Sequence, residues 1–264
     1  MRVVLFCGGQ GLRLRDPSST VPKPMATIGP RPVLWHVMRY YAHFGHHDFV
    51  LCLGYRGDVI KDYFLHYDET VSNDFVLADG GRSIELLNVD IPDWRIAFLD
   101  TGPDANIGQR LLAVRPHLID EPIFLANYAD GLTDAPLDRL LEDFSRRKKV
   151  AGFVSVRPPQ TFHVLRIADD GDVQAITHVR DSNIWMNGGY FMFRNTIFDY
   201  LQPGEDLVDE PFQRLIAEGQ LIAYQHDGFW RAMDTLKEMQ ELGALYESGR
   251  PPWAVWQRRS TPEA

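Results

Sequence analysis

The residues near the start of the chain that could bind phosphate are three glycines and two cations. They are Gly8, Gly9, Gly11, Arg13 and Lys23. A glycine-rich turn lets the backbone approach a ligand closely and point its N–H groups at it. Arginine and lysine add positive charge at the same place. The pattern predicts a phosphate-binding loop, and the alternative is a glycine-rich turn with two solvated cations.

The spacing of this stretch differs from that of the two common phosphate loops. A Walker A loop would need Gly-Lys-Ser/Thr after four intervening residues, and the dinucleotide fingerprint needs a third glycine where Leu14 stands. Pro17, Pro22 and Pro24 favour a long irregular loop instead of a helix. We therefore expect an extended loop that folds over a polyphosphate, with Lys23 at its far end.

Two aspartates farther along the chain could bind a metal ion. Asp130 follows a predicted strand within YADG, and Asp234 lies in FWRAMDTL. Magnesium prefers hard oxygen ligands, commonly one or two carboxylates together with phosphate oxygens. The alternative is that each is a turn or cap residue, and Asp234 directly before Thr235 could cap the next helix.

Several short motifs are spread over nearly the whole chain. They are GGQGLRL with VPKPM, TGPDANIGQRL (101–111), YADGLTD (128–134), WMNGGYFMF (185–193), HDGFWRAMDTL (226–236) and PPWAVW (251–256). In this order they resemble the motifs of the sugar-phosphate nucleotidyltransferases, in particular those of the glucose-1-phosphate cytidylyltransferase branch. The resemblance implies attack by a sugar 1-phosphate oxygen on the α-phosphorus of a nucleoside triphosphate, which releases pyrophosphate. Because that nucleophile is already an anion, positioning and charge neutralisation would supply the catalysis.

The resemblance also implies roles for the residues named above. Asp130 and Asp234 would hold Mg²⁺, the expected cofactor, while Arg13 and Lys23 would bind the triphosphate beside the glycines. Arg13, Lys23 and Asp130 would be the catalytic residues. The expected substrates are CTP and glucose 1-phosphate. The alternatives are the same chemistry with another base or sugar phosphate, and a sugar-nucleotide-binding protein without turnover.

The stretch TGPDANIGQR has the spacing of the cytidylyltransferase loop TG-x4-TGGR, which helps to recognise the base. Ile107 and Gln109 replace threonine and glycine, and Gln109 could contact a base edge because its amide both donates and accepts. The residues predicted to bind the nucleotide here are Gly102, Gly108, Gln109 and Arg110. The alternative is that Gly102 ends a strand and Arg110 starts a helix.

The segment Asn187, Gly188 and Gly189 resembles the sugar-facing NGG segment of the family. Its alternative role is a β-bulge, which glycine within a strand often marks. Tyr128 and Trp185 are predicted to flank the sugar, although aromatic residues in apolar strands often belong to the core.

The family has a Glu-Lys-Pro motif before NGG, and the lysine of this motif binds the sugar phosphate. This chain has THVRD (177–181) there, without a lysine. His178 aligns if there is no gap, but an unperturbed histidine loses most of its charge by about pH 8. Arg180 stays charged, so we predict that it binds the phosphate. The alternative is that Arg180 pairs with Asp181.

Composition excludes several classes of protein. A net charge of −9 over 264 residues argues against a general nucleic-acid binder. An apolar run of 18 residues is missing, and residues 3–7 are too short for a signal-peptide core, so we expect a cytoplasmic protein without a membrane partner. Cys7 and Cys52 lie in predicted buried strands and are interpreted as reduced core residues.

The alternation of apolar runs with helical periodicity predicts how these residues are positioned. Strands at residues 3–7 and 48–53, each followed by a helix, indicate an α/β fold with a doubly wound, mostly parallel, Rossmann-like sheet. Ligands then lie at the carboxyl ends of the strands. We expect a single domain, 1–264, with a nucleotide-binding part at about 1–150 and a β-rich sugar-binding part at about 151–256. The family often assembles, so a homo-oligomer is a further expectation.

Overall fold

The computed structural model describes residues 1–9 and 21–257. Its strands are β1 (Arg2–Phe6), β2 (Thr27–Ile28), β3 (Arg31–Pro32), β4 (Asp48–Leu53), β5 (Phe75–Ala78), β6 (Ser83–Leu86), β7 (Arg95–Asp100), β8 (Ile123–Asn127), β9 (Gly131–Thr133), β10 (Ala151–Val156), β11 (His163–Ile167), β12 (Val173–His178), β13 (Met186–Arg194), β14 (Leu221–His226) and β15 (Trp230–Ala232). Its α-helices are α1 (Val33–His43), α2 (Gly57–Leu65), α3 (Ile107–Val114), α4 (Leu137–Arg147), α5 (Glu210–Ala217) and α6 (Leu236–Glu247).

Seven of these strands form one central sheet in the order β14-β10-β13-β8-β1-β4-β7. β1 is parallel to β4 and β8, β7 is parallel to β4, and β14 is parallel to β10. β13 is antiparallel to both of its neighbours, β8 and β10. The predicted doubly wound, mostly parallel α/β fold is confirmed.

β1 is buried on both faces, as its continuous apolar sequence predicts. Because successive side chains of a strand point to opposite faces, Val3 and Leu5 pack in one apolar cluster and Val4 and Phe6 in the other. The first cluster includes residues of α1, α2, α4 and α6. The second includes residues of α3 and α5. Helices therefore cover the sheet on both sides.

The carboxyl ends of the parallel strands all lie at one edge of the sheet, here called the carboxyl edge. β1 ends before Gly8 and β8 ends before the segment that contains Asp130. β13 runs in the opposite direction, so its amino end with Asn187 reaches the same edge. The tertiary arrangement thus brings three of the predicted motifs to one place.

Two elements near this edge differ from the sequence-based expectation. Helix α3 begins at Ile107, although the apolar periodicity predicts a start at residue 111. The earlier start is stabilised by a capping box, in which the side chains of Asn106 and Gln109 each accept the backbone N–H of the other. The short strands β9 and β15 were not predicted, because three residues carry little periodicity.

The turn signals at residues 79–81 and 169–172 predict two hairpins, and both are present as β5–β6 and β11–β12. Both stand apart from the central sheet as separate pairs of strands. In residues 1–9 and 21–257, the helices are all too short or too polar to cross a lipid bilayer.

Candidate active site

The pairing of β9 with β15 brings two distant aspartates together. Ala232 is opposite Gly131 in this antiparallel pair, and the backbone N–H of Met233 donates to the carbonyl of Asp130 at 2.9 Å. Asp130 directly precedes β9, and Asp234 follows β15 after one intervening residue. A pair of three-residue strands is therefore what places the two carboxylates side by side.

A strained turn leads from β8 to Asp130. Ala129 has a φ of 63°, which is uncommon for a residue other than glycine. The turn is stabilised by the side-chain oxygen of Asn127, which accepts the N–H of Ala129 at 2.7 Å. Such strain is found often at functional sites, where the surrounding structure maintains it.

Lys23 contacts both carboxylates. Its Nζ lies 2.5 Å from Oδ2 of Asp130 and also donates to Oδ1 of Asp234. The exposed fractions of the three side chains are 14% for Lys23, 23% for Asp130 and 36% for Asp234. Residues predicted separately from three motifs thus form one cluster at the carboxyl edge.

The cluster shifts the protonation of its members. Burial lowers the pKa of Lys23, but the nearby charges and hydrogen bonds of the two aspartates outweigh it, so this pKa lies above its usual value. Burial raises the pKa of Asp130; the ammonium of Lys23 opposes this rise, and the like charge of Asp234 adds to it. Two adjacent carboxylates of this kind favour a cation between them.

Asp234 does not cap helix α6, which was the alternative to metal binding. Thr235 is the N-cap, and its hydroxyl accepts the N–H of Glu238 at 3.3 Å. The Glu238 carboxylate in turn accepts the backbone N–H groups of Asp234 and Thr235. Glu238 therefore holds the backbone of Asp234 in place, and the Asp234 carboxylate is left to contact Lys23.

The pair Asp130 and Asp234 fits a hard divalent cation. Both carboxylates already contact one ammonium group, so their oxygens converge on a single positive charge. The described residues contain no group of three or more histidine, cysteine, aspartate or glutamate side chains arranged for a metal. The remaining ligands of such a cation would have to be water or substrate phosphates, as is common for Mg²⁺.

The predicted phosphate loop is described only at its two ends. Gly8 and Gly9 follow β1, and Lys23 begins a short 3-10 helix, whereas Gly11 and Arg13 lie outside the described residues. A Cβ atom at Gly8 would lie 2.0 Å from Nη1 of Arg110, so a side chain there would displace this guanidinium from its hydrogen bonds. Within residues 1–9 and 21–257, no heavy atom outside Gly9 and its two chain neighbours lies within 4 Å of the same position at Gly9.

Arg110 is 2% exposed and binds the ends of several strands together. Its guanidinium donates to the carbonyls of Gly8 and Leu53 at 3.1 Å and to the Thr101 hydroxyl at 2.7 Å. These contacts join the last residue of β4 to the segments that follow β1 and β7. Arg110 thus has a structural role, and its contact with a nucleotide stays a prediction.

The other residues of the predicted base loop surround the start of α3. Gly102 has a φ of 93° just after β7. A Cβ atom at Gly108 would lie 2.3 Å from the carbonyl oxygen of Glu205, so this glycine allows close packing. Gln109 is exposed, and its Oε1 is occupied in the capping box. Contact of these residues with a base also stays a prediction.

The NGG segment lies against Tyr128. The Asn187 amide donates to the Tyr128 hydroxyl at 3.1 Å and accepts the N–H of Gly189 at 2.8 Å. Gly189 has a φ of 76°, and the pairing register of β13 with β10 shifts at this point. The segment therefore is a bulge, and this bulge directs Asn187 toward the carboxyl edge. Trp185 lies just before β13 under the guanidinium of Arg157.

A cavity of about 390 Å³ opens beside these residues. His178 and Arg180, both predicted to lie near the sugar phosphate, line it. So do Arg157 and Arg231, which sequence reasoning did not select. Their positions in the sequence could have identified both residues. Arg231 lies within the motif that contains Asp234, and Arg157 directly follows β10.

Comparison with known proteins identifies the family. Residues 2–248 match the family model described as nucleotidyl transferase. The chain belongs to the nucleotidyl transferase family. It is 33% identical to the glucose-1-phosphate cytidylyltransferases of Salmonella typhi and Salmonella typhimurium, over 97% of this chain and 100% of each relative. The resemblance drawn from the motifs is confirmed.

Solved structures agree with the fold of this nucleotidyltransferase. UDP-glucose pyrophosphorylase complexed with UDP-glucose matches 94% of this chain and 99% of its own, with a TM-score of 0.69 and 16% identity. HddC from Yersinia pseudotuberculosis matches 93% of this chain and 99% of its own, with a TM-score of 0.64 and 16% identity. The chain is an enzyme of this class, which forms a sugar nucleotide from a nucleoside triphosphate and a sugar 1-phosphate.

Proposed function

We propose that this nucleotidyltransferase joins CTP and glucose 1-phosphate to give CDP-glucose and pyrophosphate, with Mg²⁺ as cofactor. Two relatives that match over their full length are glucose-1-phosphate cytidylyltransferases. The observation that carries the proposal is the convergence of Lys23, Asp130 and Asp234 at the carboxyl edge. The ammonium can bind phosphate directly, and the two carboxylates can hold a cation that neutralises further phosphate charge.

The residues act mainly by positioning. A sugar-phosphate oxygen forms a new bond to the α-phosphorus, and the bond from that phosphorus to the leaving pyrophosphate breaks. Asp130 and Asp234 would hold the metal ion, which supplies neutralisation of phosphate charge. Lys23 and Arg13 bind the triphosphate, and the turn at Gly8 and Gly9 offers backbone N–H groups to it.

The choice of cytosine depends on the loop before and within α3. Gly102, Gly108 and Arg110 keep the spacing typical of cytidylyltransferases, whereas Ile107 and Gln109 depart from it. Gln109 uses its side-chain oxygen in the capping box, which leaves its NH₂ group to donate. Asn187 and Tyr128 would contact the sugar from the other side of the site.

We also propose that the protein is a cytoplasmic homo-oligomer. Cys7 and Cys52 are buried free thiols, as expected in a reducing compartment. The β5–β6 hairpin exposes large apolar side chains, including Phe75, Leu77 and Ile84. Isolated two-stranded hairpins are marginal in water, so contact with a second copy would stabilise this one.

The test of the proposed function is a pyrophosphate-release panel with the purified full-length chain. CTP, UTP, GTP, ATP and dTTP are each combined with glucose 1-phosphate, mannose 1-phosphate and galactose 1-phosphate, with Mg²⁺ or with EDTA. We expect the highest kcat/KM for CTP with glucose 1-phosphate, and no release with EDTA. Another triphosphate used equally well would overturn the assignment of the base. Binding of substrates without release in any combination would support the non-catalytic alternative.

A further inference from the structure

The cavity of about 390 Å³ lies at the carboxyl edge, and one of its lining residues, Arg231, is three positions before Asp234. Its floor comes from the ends of β10 and β14, and one wall comes from His178 at the end of β12 and Arg180 just after it. The other wall is β15, which carries Trp230 and Arg231. Nε1 of Trp230 donates to the carbonyl of Gly188 at 2.8 Å, so the cavity adjoins the NGG segment.

The three arginines of the cavity differ in how much of their charge is already paired. Arg157 forms an ion pair with Asp227 at 3.3 Å, donates to the carbonyl of Ser182 at 2.7 Å and lies over the ring of Trp185 at 4.4 Å. Within residues 1–9 and 21–257, Arg180 and Arg231 form no ion pair with a carboxylate, and the pairing of Arg180 with Asp181 is not observed. Nη1 of Arg231 donates to the backbone carbonyl of Trp230 at 2.9 Å, and Asp181 and Asp227 also line the cavity. The positive charges of Arg180 and Arg231 are nevertheless not paired with a carboxylate in the described part of the chain, so both can attract an anion.

The histidines of the cavity are poorer candidates for holding an anion. Nδ1 of His178 accepts the backbone N–H of Arg180 at 3.2 Å, which requires that this nitrogen carry no proton. His226 contacts the carboxylate of Asp134 at 2.9 Å, which also accepts the N–H of Phe229. Each imidazole therefore already has a partner within the protein.

We propose that Arg231 and Arg180 together bind the phosphate of the sugar 1-phosphate, each from a different wall of the cavity. This inference rests on the proposed function and adds Arg231 as a substrate-binding residue. Arg231 is three residues before Asp234, on the strand that pairs with β9. The same strand would therefore align the phosphate nucleophile with the aspartate pair. A planar guanidinium can also bind phosphate through two hydrogen bonds.

Arg157 acts as a positioning residue in this arrangement. Its contacts with the Ser182 carbonyl and the Trp185 ring stabilise the segment that directly follows Arg180. Removing Arg157 would leave Arg180 and Arg231 present, but the segment that contains Arg180 would lose these stabilising contacts. We expect an effect on the KM for sugar phosphate that is smaller than that of either direct contact.

The test uses Arg231→Ala, Arg180→Ala and the double variant, with Arg139→Ala on the exposed face of α4 as the matched control. Each single variant should raise the KM for glucose 1-phosphate about tenfold to a hundredfold, since a charge-assisted contact is lost. The KM for CTP should stay nearly unchanged, and Arg231→Lys should restore part of the loss. The double variant should lose less than the product of the two single effects, because both groups bind one phosphate.

Two outcomes separate this inference from the proposed function. If CTP and glucose 1-phosphate are turned over but Arg231→Ala keeps the wild-type KM for sugar phosphate, the inference is wrong and the proposed function stands. If the wild-type protein shows no turnover, calorimetric titration with glucose 1-phosphate still decides the matter. Wild-type binding that is lost in Arg231→Ala would support the phosphate site, although the proposed function would fail.

The pH dependence gives a third measurement. Because arginine stays charged, the wild-type KM for sugar phosphate should be flat between about pH 7 and about pH 8.5. A KM that rises through this range, and becomes flat in His178→Ala, would show that histidine holds the phosphate and would overturn the proposal.

Discussion

The ammonium of Lys23 lies between the two carboxylates that a metal ion would also need. Its Nζ contacts both Asp130 and Asp234, and its side chain is only 14% exposed. In this structure the single positive charge of Lys23 therefore offsets part of the negative charge of the aspartate pair. Under the proposed function, Lys23 would bind the triphosphate and a divalent cation would be held by the two aspartates in its place.

Removing either aspartate should nearly abolish turnover. Asp130→Asn and Asp234→Asn each lose one charged oxygen ligand, so phosphate charge is left without neutralisation. We expect kcat to fall at least about a hundredfold at saturating Mg²⁺, because the metal contributes several kcal/mol. Thermal unfolding should show that both variants stay folded, and exposed Asp120→Asn serves as the control. Full activity in either variant would remove that aspartate from the metal site.

Removing Lys23 should have opposite effects on metal and nucleotide. Lys23→Met takes away the internal cation, so the free protein should bind Mn²⁺ more tightly than wild type in a calorimetric titration without nucleotide. CTP binding should weaken about tenfold to a hundredfold. Lys61→Met on the exposed face of α2 is the control. Equal Mn²⁺ affinity in wild type and Lys23→Met would mean that the lysine does not compete for the carboxylates.

At the scale of elements, Arg110 joins the ends of neighbouring strands. Its guanidinium donates to the carbonyl of Gly8 after β1, to that of Leu53 at the end of β4, and to the Thr101 hydroxyl after β7. Gly8 and Gly54 have no side chains, and the guanidinium occupies that space. The position of the glycine turn in the site therefore depends on a buried arginine that comes from α3.

Arg110→Met should destabilise the protein even when no nucleotide is present. Buried carbonyls lose their donors, and we expect the free energy of unfolding to fall by about 3 kcal/mol. Urea unfolding of the ligand-free protein measures this directly. Arg139→Met, at an exposed position of α4, should leave the midpoint unchanged. An unchanged midpoint in Arg110→Met would mean that Arg110 serves the nucleotide and not the strands.

His36 links α1 to two other elements. Its Nε2 lies 3.0 Å from the carbonyl of Ile28, and its Nδ1 accepts the indole N–H of Trp253 at 3.3 Å. Both ring nitrogens are thus used by the neutral form. Burial lowers the pKa of His36 to about 4.

Acidification should destabilise the fold through His36. In the unfolded chain His36 is protonated below about pH 6.5, whereas in the folded chain it is protonated only below about pH 4. Stability is therefore fully present above about pH 6.5 and is lost as the pH falls, by up to about 3 kcal/mol. Urea midpoints measured across this range test it. His36→Gln should flatten the slope and exposed His117→Gln should not; an unchanged slope in His36→Gln would contradict the assignment.

At the scale of the whole molecule, two hairpins extend from the sheet with apolar side chains in water. In β5–β6, Leu77 is 58% exposed and its cross-strand neighbour Ile84 is 55% exposed. In β11–β12, Ile176 is 68% exposed. Large exposed apolar surfaces of this kind mark interaction sites, and a second copy of the chain is the proposed occupant.

The double variant Leu77→Asp/Ile84→Asp should therefore dissociate the homo-oligomer. Charged residues on both strands would be buried without partners in the contact. Light scattering after size exclusion should give a larger mass for wild type than for the variant, while Lys61→Asp keeps the wild-type mass. A monomeric wild type would refute the assembly.

Local sequence determined much of this protein. Apolar runs placed β1 and β4, and helical periodicity placed α1 and α2 after them, because burial and backbone preference act over a few residues. The motifs indicated the family, and with it Lys23, Asp130 and Asp234. The capping box at Asn106 and Gln109 was not predicted, and apolar periodicity placed the start of α3 at residue 111 instead of 107.

Other features were decided only by the tertiary structure. The contact of Lys23 with both aspartates needs β9 to pair with β15, and three-residue strands carry no local signal. Arg110 lies in a motif that predicts ligand binding. In the structure its guanidinium donates instead to the backbone carbonyls of Leu53 and Gly8, which lie far away in the chain. Arg231 reaches the cavity because β15 pairs with β9. Contacts of this kind join segments that are far apart in the sequence, so no single segment carries a signal for them.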